Sequence, residues 1–162
     1  MVTGAAAAVL AQYLGLWPQS GRALPPEDPL GTHPHLHATL SCHRRLGRWV
    51  ATLIVTNLST ELVYLTGYNL PRGGKLENNV FQFEGSASKV RYTGVYTKRG
   101  ALSRSDCAEL LPGASLDAEV VLDDWYALPS ESAVVWYEAF HNPPDSAGTL
   151  WLVRSNKVEL GV

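Results

Sequence analysis

Leu111-Pro112-Gly113-Ala114-Ser115-Leu116-Asp117-Ala118-Glu119-Val120-Val121-Leu122 is the most legible stretch of this 162-residue chain. Proline pre-sets φ at the first corner of a tight turn and glycine tolerates the second, so residues 111–114 read as a turn. After it, Leu116, Ala118, Val120 and Leu122 alternate with Ser115, Asp117, Glu119 and Asp123. A period of two is the signature of a strand with one buried face and one wet face.

The same reading extends outward in both directions. Residues 132–140 form a strand whose Val135 and Tyr137 face inward, which turns Val134, Trp136, Glu138 and Phe140 outward. Residues 80–84 alternate Phe81 and Phe83 against Val80, Gln82 and Glu84. In Arg48–Asn57, Trp49, Ala51, Leu53 and Val55 share the face expected to be buried. The polar residues 57–60 read as a hairpin loop into a strand at 61–66, and residues 85–88 as a turn into a returning strand at 89–92. Residues 67–79 read as a loop, and residues 149–154 and 156–160 as the last strands. Short strands at this spacing, with no long amphipathic helix among them, predict an all-β fold. The expected form is an immunoglobulin-like antiparallel β-sandwich of seven to nine strands.

Residues 1–34 differ in character from residues 35–162, the expected sandwich domain. The apolar run from Ala5 to Trp17 is interrupted by Gln12, Tyr13 and Gly15, and is too short to span a membrane. It resembles the apolar centre of a signal peptide, with a small-x-small triplet at Gly21-Arg22-Ala23. No Lys or Arg precedes it, which favours a cytoplasmic chain over a secreted one. The alternative is a short N-terminal helix or extended arm that packs Val9, Leu10, Tyr13, Leu14 and Trp17. Pro18, Pro25, Pro26, Pro29 and Pro34 make the rest of the segment a linker. Cys42 and Cys107 would pair if the protein is exported; otherwise they serve as small buried apolar side chains.

Thirteen Lys and Arg against fifteen Asp and Glu give a net charge of -2, which argues against general binding to nucleic acid. His33, His35 and His37 fall on one face if the chain there is extended. That face could ligate zinc or copper. The competing reading is a polar strand face backed by Leu36 and Leu40, with Pro34 interrupting regular pairing. Catalytic patterns are missing: the sequence has no Gly-x-Ser-x-Gly and no His-Glu-x-x-His. Asp123 and Asp124 diverge on a strand and read as a solvated strand end. Asp106 and Glu109 flank Cys107 and disfavour a thiolate. Lys98 and Arg99 read as a solvated basic spot. The expectation is a non-catalytic domain without a cofactor.

Two motifs carry a resemblance: Y-T-G-V-Y-T-K-R-G (Tyr92, Gly94, Lys98, Arg99) and L-P-G-x-S-x-x-x-x-V-x-L-x-x-x-Y-x-L. In the second, the matching positions are Leu111, Pro112, Gly113, Ser115, Val120, Leu122, Tyr126 and Leu128. With Val135 and Tyr137, and less specifically Asn57 and Phe81, the segment from Trp49 to Tyr137 resembles a known domain. It is the non-catalytic β-sandwich preceding the protease domain of bacterial and fungal peptidyl-Lys metalloendopeptidases, relatives of deuterolysin. The resemblance implies a protein partner, with a protease as the first candidate, and a role as inhibitor, prosegment-like chaperone or targeting module. Without His-Glu-x-x-His, nothing of the proteolytic chemistry carries over. The outward Val134, Trp136 and Phe140 are the expected contact surface, for a partner or for self-association.

Overall fold

The computed structural model describes residues 33, 35–86, 89–142, 144 and 150–161. The apolar run at Ala5–Trp17, the triplet at residues 21–23 and most of the proline-rich linker lie outside the described residues. The strands are β1 (Leu36–Arg45), β2 (Arg48–Asn57), β3 (Val63–Thr66), β4 (Phe81–Glu84), β5 (Arg91–Tyr92) and β6 (Cys107–Leu110). They continue with β7 (Ser115–Val121), β8 (Tyr126–Ala127), β9 (Ala133–His141), β10 (Trp151–Arg154) and β11 (Val158–Leu160). The fold is an all-β antiparallel sandwich, as the alternation predicts. The described chain is divided into more strands than the expected seven to nine, because β5 and β8 are two-residue ladders and the last strand is split in two.

One sheet has the order β1-β2-β7, and the other joins β4 to one edge of β9 and β10 with β11 to its other edge. Leu40, Leu53, Val55 and Val120 of the first sheet share one core with Phe81, Val135, Tyr137 and Val153 of the second. The buried positions on β2 include all four expected from its alternation, Trp49, Ala51, Leu53 and Val55.

Three connections are decided by particular residues. Leu46 and Gly47, both at positive φ (52° and 78°), form the two-residue turn between β1 and β2. Gly113 at φ 72°, with the Ala114 N–H donating to Leu111 O (3.0 Å), makes the predicted Pro-Gly turn ahead of β7. Between Arg154↔Glu138 and Val158↔Val135 the last strand uses one residue more than β9, a β-bulge. There the Ser155 hydroxyl accepts the Tyr137 N–H (2.9 Å), doing the work of a missing ladder carbonyl.

Two expected hairpins do not form. β2 and β3 do not pair; β3 pairs with β6 instead. The reason is Asn57, whose buried side-chain amide donates to Glu61 O (2.7 Å) and Leu110 O (2.9 Å). Its carbonyl accepts the Ser59 N–H (2.9 Å), so the chain turns a corner out of the first sheet rather than folding back on it. Likewise β5 pairs with β8, through Arg91↔Ala127 and Tyr92↔Tyr126, and not with β4.

Candidate functional site

The outer face of the second sheet is set by β9. Val135, Tyr137, Ala139 and His141 are buried, while Val134, Trp136 and Glu138 are half-buried and Phe140 is 56% exposed. Trp136 is held from both sides: its indole N–H donates to Glu138 Oε2 (3.2 Å), and the Lys157 ammonium lies 5.0 Å from the ring centroid. Arg154 donates to the same carboxylate oxygen and Lys157 pairs with Glu84, so these four charges are matched. Phe140 has no such cover. Its cross-strand neighbour is Leu152, and Leu150, one residue ahead of β10, is 59% exposed.

A groove of about 320 Å³ opens beside Phe140. Tyr96, 66% exposed, lines it along with Phe140; its polar lining comes from Asn69, Asn78, Asn79, Gln82 and Glu138. Asn69 is the organiser: its amide donates to Phe140 O (2.6 Å) and its carbonyl accepts Asn78 Nδ2 (2.6 Å). Asn79 is fixed through its carbonyl, which accepts the Tyr126 hydroxyl (3.0 Å). Period-two alternation finds Gln82, Glu138 and Phe140. The asparagines, spread over a loop with no periodicity, are invisible to it.

Behind this face lies a buried polar network also missed by sequence reasoning. The Thr66 N–H donates to His141 Nδ1 (3.0 Å), so the ring proton sits on Nε2 and is donated to Tyr137 Oη (2.9 Å). The tyrosine hydroxyl in turn donates to Asn69 O (2.7 Å). Burial holds the His141 imidazole down at about 4 and pushes the Tyr137 phenol well above its usual value. The network couples the core of β9 to the residue that organises the groove.

The three histidines lie at the start of β1. His35 and His37 are exposed, with Leu36, Ala38 and Leu40 buried on the opposite face. His33 precedes the strand, its ring 4.5 Å from that of Trp151, and its Nδ1 accepts the His35 N–H (3.2 Å). Burial, then the neighbouring His35, lowers its pKa. No group of three His, Cys, Asp or Glu among the described residues is arranged to hold a metal ion.

The remaining candidates have structural partners. Asp123 Oδ2 accepts the Trp49 N–H (2.7 Å) and Asp124 pairs with Arg48, so this acidic pair fastens the start of β2 and is more than a solvated strand end. Arg99 pairs with Glu77 and stacks 4.5 Å from the Tyr68 ring centroid. Asp106 accepts from the Ser103 N–H and hydroxyl, which hold its carboxyl below the usual range. Cys42 and Cys107 are thiols, not a disulfide. Burial pushes Cys42 up to about 12, and the Cys107 thiol, half-buried, donates to Ser103 O (3.6 Å).

Of the positions singled out in the two sequence motifs and their flanks, the aromatic ones build the core, while Lys98, Arg99, Leu111, Pro112, Gly113 and Ser115 are exposed. Tyr92 and Tyr126 rings lie 5.4 Å apart, Phe81 sits 6.2 Å from Tyr126, and Phe81 sits 6.0 Å from Tyr137. A Cβ on Gly94 would overlap the Tyr92 phenol, which explains why glycine follows Tyr92 at that spacing. The chain matches no family model, and no curated protein matches it.

Proposed function

We propose that the protein is a non-catalytic, protein-binding β-sandwich that docks through the outer face of its second sheet, at Val134, Trp136 and Phe140. The observation that carries this reading is Phe140: it stands open near the end of β9, between buried Ala139 and His141, paired to β10 on one side and beyond the reach of β4 on the other. Large apolar side chains left open on a sheet face are costly to leave in water and are typical of contact surfaces. Trp136, pinned by Glu138 and Lys157, supplies a second and pre-organised anchor on the same face of β9, beyond Glu138. The resemblance to the metalloendopeptidase-associated sandwich makes a protease the favoured partner, with this chain as its inhibitor or prosegment-like module.

The test is capture on the immobilised protein, with wild type, Phe140→Ser and Trp136→Ser compared side by side. A protease retained by wild type and weakened at least about tenfold by Phe140→Ser supports the reading. Equal retention by the folded Phe140→Ser and Trp136→Ser proteins, or a Phe140→Ser protein that no longer folds, overturns the surface assignment.

A further inference from the structure

The groove next to Phe140 has a chemistry different from the apolar face. Asn69 is occupied in holding Phe140 O and Asn78, and the Asn79 carbonyl in holding Tyr126. One carboxylate oxygen of Glu138 is taken by Arg154 and Trp136. That leaves the Asn78 carbonyl, the Asn79 amide N–H groups, both ends of the Gln82 carboxamide and the second Glu138 oxygen. None of these bonds to another described residue. The groove therefore presents mixed donors and acceptors, with two open aromatic rings among its lining residues.

We propose that this groove binds a neutral mono- or disaccharide. A sugar hydroxyl donates and accepts at once, which matches carboxamides and a carboxylate set side by side. The apolar C–H face of a pyranose matches the rings of Tyr96 and Phe140. Because Arg154 neutralises Glu138, the site offers no unmatched charge to an ionic ligand. An extended peptide is the poorer fit. Gln82 is already paired with Trp136, and the Glu138 N–H donates to Val80 O, so the backbone groups between these two lining strands are taken by each other and not open to a peptide. The volume, about 320 Å³, falls at the lower end of small-molecule sites, roughly 300–1,000 Å³. The proposal does not rest on the protease-associated reading, although Phe140 borders both surfaces.

The experiment screens the purified full chain on an array of neutral and charged glycans. The strongest neutral hit is then titrated into ¹⁵N-labelled protein. The expected result is movement of the side-chain NH₂ signals of Asn79 and Gln82. Gln82→Leu, at a half-buried position, and Tyr96→Ala, at an exposed one, each weaken affinity about tenfold while the protein stays folded. Val134→Ser, outside the groove lining, leaves sugar affinity unchanged while it weakens the protein contact, which separates the two readings. The proposal is overturned if no neutral glycan binds, if sulfated or sialylated glycans are preferred, or if binding survives the Gln82→Leu/Tyr96→Ala double variant.

Discussion

His141 shows how a single side chain can be committed to one protonation state by its neighbours. With the Thr66 N–H aimed at Nδ1, protonation would set two N–H groups against each other inside the core. The ring therefore stays neutral in the folded protein down to about 4, whereas in the unfolded chain it titrates near 6.5. Below 6.5 the unfolded state binds a proton that the folded state does not, so stability falls as the pH drops from about 6.5 to about 4, then levels off. The His141 contribution to that loss is on the order of 3 kcal/mol. Urea unfolding at pH 7 and pH 4.5 should show it. His141→Gln should be less stable than wild type at pH 7 and should lose much less on acidification. A variant with the same acid slope as wild type would place the sensitivity elsewhere. The sequence alone marks His141 only as a histidine on a strand. Its state depends on Thr66, far away in the chain.

At the scale of elements, facing on β2, β7 and β9 was legible, while β6 was not read as a strand and neither expected hairpin pairing formed. β7 reads directly from its alternation, and Ser115, Asp117 and Glu119 are exposed as expected. It pairs along one side, with β2, and its outward carboxylates discourage a further strand from adding at the other edge. The β1–β2 hairpin is the least conventional element, because Leu46 occupies a left-handed position that asparagine or glycine normally takes. That leucine is also 97% exposed, so its side chain gains nothing by packing. Leu46→Asn is expected to stabilise the protein by about 0.5–1 kcal/mol, read as a higher urea midpoint at unchanged slope. No gain would mean that the leucine has a contact in solution, for which the hairpin tip should then be searched. The two hairpins that failed, at residues 57–60 and 85–88, have ordinary turn composition; the buried bonds of Asn57 overrode the first.

On the scale of the whole molecule, the two sheets are joined by more than side-chain packing. The Asn156 carboxamide accepts the Leu40 N–H (2.8 Å) and donates to Leu40 O (3.0 Å), imitating a strand at the free edge of β1. Next to it Ala38 bridges Ser155 in parallel, so the bulge that interrupts the last strand also ties β1 to the second sheet. Asn156→Leu removes both bonds and leaves a buried backbone donor and acceptor unpaired, at a cost of about 2–4 kcal/mol. Amide exchange should localise the damage: the Leu40 N–H should lose protection while Leu53, at the centre of β2, keeps most of its own. Equal loss at both positions would mean that the sandwich opens as one unit.

The sequence by itself determined that this is an all-β chain, which residues of β2, β7 and β9 face the core, and where the Pro-Gly turn falls. These are local properties, fixed by a period of two and by backbone preferences that need no partner. Tertiary structure alone decided which strands pair, that Asn57 turns a corner, that His141 is neutral, and that four carboxamides meet beside Phe140. Each of these depends on hydrogen bonds or packing between residues distant in the chain, where composition and spacing carry no signal. Phe140 belongs to both accounts. Alternation turns it outward, and only the packed sheet shows that Trp136 on the same face is held and half-covered while Phe140 is left open.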